Sequence, residues 1–147
     1  MSARKGENME ERYLYKAKRL DNGEWVTGSL ITCEDGTCKI AIRYLDDSAN
    51  IAILICAYDV DRDTICQCTG LKDKNGKLIW ENDIMAAHLD EDYPEDETYI
   101  RILWYENGFC LIENGSKDIE PIDKFDREYF EVCGNIFDNK ELLESEE

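Results

Sequence analysis

The sequence is poor in histidine, proline and long apolar segments. It contains one histidine and two prolines, and its longest apolar run, residues 51–58, is far too short to cross a bilayer. The first residues lack the apolar stretch of a signal peptide. These features predict a soluble, cytoplasmic protein with no membrane partner.

Basic residues are also scarce. Seventeen Lys and Arg residues stand against 34 Asp and Glu residues, so the formal net charge is −17 at pH 7. Residues 1–20 carry six basic and three acidic groups, whereas residues 21–147 carry 11 and 31, a local charge of −20. Such a surface repels nucleic-acid phosphates and anionic lipid. We therefore expect no nucleic-acid partner; the charge favours a basic protein as the partner, or it serves solubility alone.

The chain has an odd number of cysteines: Cys33, Cys38, Cys56, Cys66, Cys68, Cys110 and Cys133. This favours a reducing compartment in which free thiols serve as small apolar side chains. Structural zinc sites most often have two residues between paired cysteines. The spacings here are four residues (33 to 38) and one residue (66 to 68). We predict no metal site and no cofactor.

Turn signals and short β-forming runs dominate the sequence. Five dipeptides are typical of type I′ hairpin turns, in which both central residues take positive φ: Asn22-Gly23, Asp35-Gly36, Asn75-Gly76, Asn107-Gly108 and Asn114-Gly115. Residues 51–56 are apolar on both faces, which predicts a central strand covered on both sides. The pattern predicts a mainly β fold, a barrel or a sandwich.

Helical and loop signals are few. A short C-terminal helix is predicted over residues 139–144, with Asn139 or Asp138 as its N-cap, and a turn over 122–125. Residues 1–11 are predicted to be flexible. Six carboxylates around a proline make residues 90–97 a solvated loop.

No catalytic pattern emerges. His88 has Asp90 two residues on, which could form an acid–base pair, but no candidate nucleophile accompanies it. Residues 59–63 open like a calcium loop, yet Thr64 and Gly70 stand where that loop needs glycine and glutamate. Three tryptophans and eight tyrosines exceed what a core of this size needs, and either a packed core or an interface explains them.

Residues 64–84 resemble the signature of the YopX family of phage and prophage proteins. The matching residues are Thr64, Gln67, Thr69, Gly70, Leu71, Asp73, Gly76, Ile79, Trp80, Glu81, Asp83 and Ile84. Further matches in order are Trp25, Gly28, Ile102, Trp104, Phe109, Gly134 and Asn135. The chain departs from the signature at Asn82, where glycine is usual, at Cys133 and at Lys140.

The resemblance implies a mobile-element origin, self-association, and an SH3-type barrel in the C-terminal half. It supplies no biochemical activity. The predicted organisation is a flexible segment 1–11, an N-terminal β-hairpin and sheet region 12–63, and a YopX-like barrel 64–147 that ends in a helical turn. Gly70 and Gly76 would form turns, while Glu81 and Asp83 would bond backbone amides at a bend.

The sequence leaves three functional hypotheses. The first is a non-enzymatic module that interacts with proteins and with itself as a homo-oligomer. The second is an acidic mimic of nucleic acid that inhibits a basic host or phage protein. The third is an enzyme that acts on nucleotides through His88.

Overall fold

The computed structural model describes residues 11–46, 52–88, 97–122 and 128–143. The described chain is mainly β, which confirms that part of the predicted fold class. Its strands are β1 (Tyr15–Lys18), β2 (Trp25–Thr32), β3 (Cys38–Asp46), β4 (Ala52–Val60), β5 (Cys66–Lys72), β6 (Leu78–Trp80), β7 (Asp83–His88), β8 (Glu97–Tyr105), β9 (Gly108–Glu113), β10 (Ile119–Pro121) and β11 (Glu131–Asn135). Two short 3₁₀ helices, Arg62–Thr64 and Lys140–Leu142, accompany them.

Several predicted segments lie outside the described residues. They are residues 1–10 of the predicted N-terminal segment, residues 90–96 of the acidic loop, residues 123–125 of the turn after Pro121, and Glu144 at the end of the C-terminal helix. The chain divides into two compact units, Met1–Cys68 and Thr69–Glu147.

The first unit is built on antiparallel strands in the order β4-β3-β2-β1, with the start of β5 beside β1. Alternate residues of these strands form its core because successive side chains in a strand point to opposite faces. Ala17, Val26, Cys38, Ile40 and Val60 are the buried members. The register between β3 and β4 is continuous over nine residue pairs.

The predicted central strand is wrong in its position. β4 lies at the end of the strand order, paired along its length with β3 alone among the described strands. An isolated bridge between Arg19 and Val60 ties its last residues to the end of β1. The apolar pattern of residues 51–56 suggested burial on both faces, but strand order depends on long-range pairing that this pattern does not encode.

The second unit contains a five-stranded antiparallel sheet in the order β10-β9-β8-β7-β11. Its core holds Ile79, Met85, Ile100, Ile102, Leu111 and Phe130 among others. Both outer strands of this sheet are short. β10 has three residues and includes Pro121, and the register of β11 shifts between Val132 and Gly134. Proline and β-bulges are two common means of blocking a sheet edge.

The hairpin turns differ from the type I′ prediction. At Gly36 and Gly76 the glycine alone takes positive φ, 92° and 84°. Each glycine N–H closes a four-residue turn, onto the carbonyl oxygen of Cys33 in one hairpin and of Asp73 in the other, both at 3.0 Å. These are turns with glycine at the last position, which adds a residue to the loop. In the turn that contains Asn107-Gly108, Glu106 takes a positive φ of 61°.

A closed barrel is not found among the described strands, so the SH3-type barrel stays a prediction. The C-terminal helical turn is present as the 3₁₀ helix Lys140–Leu142. The side chain of Asn139 makes no capping hydrogen bond to it. Asn139 is the N-cap residue of this helix, one of the two predicted alternatives, but its Oδ1 accepts from the backbone N–H of Asn135 rather than from the helix.

We expect Gly28→Ala to destabilise the first unit. A Cβ at this position of β2 would collide with the backbone carbonyl of Ala41, and a backbone atom cannot move aside without disturbing the sheet. The expected loss is about 1–3 kcal/mol in the free energy of unfolding, measured by urea denaturation. Gly108→Ala is the matched control because no atom lies within 4 Å of its added Cβ. Equal losses in the two proteins would contradict the packing argument.

Candidate interaction surface

The signature residues begin in the hairpin of β5 and β6. Thr69 is buried, and its Oγ1 donates to the carbonyl oxygen of Ile79 at 2.7 Å while it accepts from the N–H of Leu71 at 3.0 Å. Ile79 is fully buried in the core of the second unit, and Leu71 packs against that core. Gly70 takes a φ of 81°. The hydroxyl of Thr69 thus links the two strands of the hairpin.

Asp73 is a buried carboxylate that joins two parts of the second unit. It is 6% exposed. Its Oδ1 accepts from the N–H groups of Asn75 and Lys77 at 2.8 and 2.9 Å, and its Oδ2 accepts from the N–H of Val132 at 2.8 Å. Burial raises the pKa of Asp73, but the backbone donors of Val132, Lys77 and Asn75 outweigh it and hold the pKa below its ordinary value. The ionised carboxylate therefore fixes the β5–β6 turn to β11.

A second buried carboxylate stands at the bend between β6 and β7. Asp83 is 2% exposed, and its Oδ2 accepts from the N–H of Trp80 at 2.8 Å. Asn82 adopts a φ of 73° at the position where the signature usually has glycine. Its N–H donates to the carbonyl oxygen of Ile102 at 2.7 Å, and its Oδ1 accepts from Arg101 at 3.2 Å. Asparagine thus keeps the bend that glycine would permit.

Asn135 and Asn139 organise the closing turn after β11. The Oδ1 of Asn135 accepts from the N–H groups of Phe137 and Asp138, both at 2.9 Å. The Oδ1 of Asn139 accepts from the N–H of Asn135 at 3.1 Å. A Cβ at Gly134 would collide with the Asn139 side chain. The absence of a side chain at Gly134 therefore lets Asn139 reach the backbone.

Among the remaining signature residues, Ile84 is fully buried and Trp104 is 49% exposed. The Trp104 ring meets Phe109 edge-on at 4.9 Å between centroids. The other signature positions named for the site, Gly76, Trp80 and Glu81, lie in or beside the same turns. Apart from the half-exposed Trp104, these residues lie in turns or in the core.

A cavity of about 400 Å³ opens in the first unit, and none of the signature residues lines it. Val60 and Cys38 form a buried apolar part of its wall. Its polar side chains have structural partners. Arg62 donates to the carbonyl oxygen of Gly36 at 3.3 Å, and the Asp61 carboxylate accepts from the N–H of Asp63 at the start of the 3₁₀ helix. These contacts connect the turn between β2 and β3 to the 3₁₀ helix Arg62–Thr64.

Four basic side chains near the N terminus lie over aromatic rings, Arg12 at 5.7 Å from the Tyr13 centroid among them. The Nζ atoms of Lys16 and Lys18 are 4.8 and 5.4 Å from the centroid of Trp25. The Arg19 guanidinium lies 4.2 Å from the centroid of Tyr58. Such contacts are favourable through the ring quadrupole. They engage part of the local positive charge within the fold.

The chemistry-bearing residues considered from the sequence do not converge in the described part of the chain. No group of three or more His, Cys, Asp or Glu residues is placed there to hold a metal ion. Cys66 and Cys68 are buried, whereas Cys56 is exposed. His88 pairs with Glu97 through the strand register, and Asp90 lies outside the described residues.

The outer edge of β4 is the feature that sequence reasoning missed. Between its ends this nine-residue strand is paired on one side, by β3, among the described residues. Residues 52–58 carry no charged side chain, although the whole chain has a net charge of −17. The signal in the sequence is this uncharged run, which is equally compatible with burial inside one chain and with contact between chains.

A family model described as YopX protein matches residues 14–144. The chain belongs to the YopX family. The crystal structure of protein EF1440 from Enterococcus faecalis is similar to this YopX-family chain, with a TM-score of 0.55, 23% sequence identity, and coverage of 88% of this chain and 96% of that one. At this identity the likeness shows a shared fold alone.

A search of curated proteins finds no match. In the described part of this YopX-family chain, no helix has the length and apolar character needed to span a membrane.

We expect Asp73→Asn to lower the free energy of unfolding by about 2–4 kcal/mol at pH 7, because it replaces a charged acceptor of several buried N–H bonds. The pKa of Asp73 is lowered in the folded state. Its stabilisation is therefore complete above about pH 4, the ordinary aspartate range, and is lost as the pH falls through the folded pKa. Urea denaturation of both proteins at pH 7 and below pH 4 should show the difference shrinking in acid.

The matched control is Asp35→Asn. Asp35 is an exposed aspartate in the other hairpin turn, and its Oδ1 accepts from the N–H and hydroxyl of Thr37. Because water can replace that carboxylate, a much smaller loss is expected. A loss at Asp35 as large as that at Asp73 would show that burial is not the cause.

Proposed function

We propose that this YopX-family chain is a non-enzymatic protein-interaction module that associates with a second copy of itself. The observation that carries the proposal is the outer edge of β4. A strand edge presents backbone N–H and C=O groups that can pair with another strand. At nine residues, β4 is long enough to support such a ladder.

The contrast with the second unit strengthens this argument. The outer strands of its five-stranded sheet have three and five residues, and they include Pro121 and a register shift. These features disfavour pairing with another chain. β4 has no proline, and its register with β3 has no shift.

Charge also favours this edge over the rest of the chain. Two copies with a net charge of −17 each repel one another when carboxylates face carboxylates. Residues 52–58 contain Ala, Ile, Leu, Cys and Tyr only. Contact through this segment brings apolar side chains together and places no like charges opposite one another.

Multi-angle light scattering tests the proposal. We expect a species of twice the 17.1 kDa monomer mass at micromolar concentration. Added salt should leave this association unchanged or strengthen it, because screening reduces the repulsion between acidic surfaces. A monomer mass at every concentration and salt would refute self-association.

A second candidate function is inhibition of a basic host or phage protein by mimicry of nucleic acid. Its support is the uneven charge distribution. Residues 1–68 contain 9 basic and 12 acidic residues, whereas residues 69–147 contain 8 and 22. The acidic second unit would occupy the partner's cationic groove in place of phosphates.

Displacement of duplex DNA from a basic, non-sequence-specific DNA-binding protein tests this second candidate. We expect competition at low salt that weakens steeply as salt is added. Polyglutamate at the same total charge is the control for charge alone. If the chain competes no better than polyglutamate, mimicry is excluded as its role.

A further inference from the structure

We propose that two copies pair through their β4 strands, antiparallel and centred on Ile55, so that the sheet of one first unit continues into that of the other across a two-fold axis. The inference rests on the proposed self-association and names its surface and register. It follows from the direction of backbone groups along β4, from the symmetry of the free groups, and from the charges beside them.

Backbone hydrogen bonds at the end of β4 show which residues direct their N–H and C=O groups away from β3. The N–H of Leu20 donates to the carbonyl oxygen of Asp59 at 3.0 Å, and the N–H of Asp61 donates to the carbonyl oxygen of Lys18 at 2.8 Å. Both bonds lie on the side of β4 opposite β3. Asp59 therefore directs its backbone groups to the outer edge.

The same direction recurs at every second residue. In a regular strand the N–H and C=O of one residue point to the same side, and those of the next residue point to the other. The β3–β4 register runs without a shift from Val60 to Ala52. Ala57, Ile55 and Ile53 consequently present their N–H and C=O groups at the outer edge, where β3 does not reach.

These three residues are arranged symmetrically about Ile55. If Ile55 faces Ile55 of the second copy, Ile53 faces Ala57 and Ala57 faces Ile53. Each of the three pairs then exchanges both N–H···O bonds, as in an antiparallel ladder. A two-fold axis at Cys56 would instead set Ile53 opposite Asp59, whose carbonyl already accepts from Leu20. The Ile55-centred register pairs the outward backbone groups of Ile53, Ile55 and Ala57 without this conflict.

The chemistry of the edge selects a second copy as its occupant. An isologous contact requires a surface that is complementary to itself, and the uncharged segment 52–58 satisfies this condition when it pairs antiparallel with its copy. Basic partners find no carboxylate on residues 52–58. Anionic partners meet Asp59 near the end of the strand and Asp61 just beyond it.

Ala57→Pro removes one N–H group at the outer edge. The hydrogen bonds between β3 and β4 should remain, because the backbone N–H and C=O of Ala57 point away from β3. Ala57→Val is the matched control, since valine keeps the N–H and favours strands. By light scattering we expect the proline protein to be monomeric and the valine protein to remain dimeric. Circular dichroism establishes that both retain the β fold.

Disulfide trapping tests the register without proline. In a background with Cys56→Ser and Cys133→Ser, which removes the two exposed cysteines, Ile55→Cys should crosslink two copies under mild oxidation. Ala57→Cys should not crosslink, because the Cα atoms of residue 57 in the two copies lie roughly 14 Å apart in this register. That distance is beyond the reach of a disulfide.

The outcomes separate the two proposals. A wild-type monomer refutes self-association and this inference together. A wild-type dimer that persists in a folded Ala57→Pro protein, or that crosslinks through residue 57 and not through residue 55, overturns the proposed pairing but leaves self-association standing. Loss of the dimer in the proline protein with crosslinking at residue 55 supports both.

Discussion

A mainly β chain must find a partner for each backbone N–H and C=O group that its turns withdraw from water, because an unpaired buried group costs stability. In the second unit, side chains meet this requirement. Asp73 accepts three backbone N–H bonds, and Asp83 accepts one at the next bend. Asn135 and Asn139 do the same after β11. In the first unit, the outer edge of β4 leaves backbone groups facing outward.

The mainly β fold could be predicted because its signals are local: alternating side chains and turn dipeptides lie within a few residues. The roles of particular residues could not. Asp73 and Val132 are 59 positions apart, and no local pattern reveals their hydrogen bond. The turns also depended on more than their dipeptides. Aspartate oxygens at Asp35 and Asp73 accept N–H groups beyond the glycine, which favours the longer loop over type I′.

The error at β4 has a physical explanation. A run such as residues 52–58 shows that a strand avoids charge, but it does not show which strand will lie beside it. A central strand and an edge that pairs with another copy place the same demands on the side chains. The sequence-based prediction assumes that every element packed beside this strand comes from the same chain. If β4 pairs across a two-fold axis, the strand is central in the dimer and an edge in the single chain.

The same arrangement explains how an exposed edge is compatible with a finite assembly. Isologous pairing uses the β4 edge of both copies at once, so no free β4 edge remains to recruit a third chain. The outer strands of the second-unit sheet are short, and Pro121 and the β11 register shift oppose further pairing there. Residues 69–147 add a surplus of 14 negative charges, which keeps other surfaces of two copies apart. In the proposed dimer, long-range repulsion opposes contact between the acidic surfaces, whereas hydrogen bonds and apolar contact along β4 oppose that repulsion, and this balance would favour a dimer over a fibre.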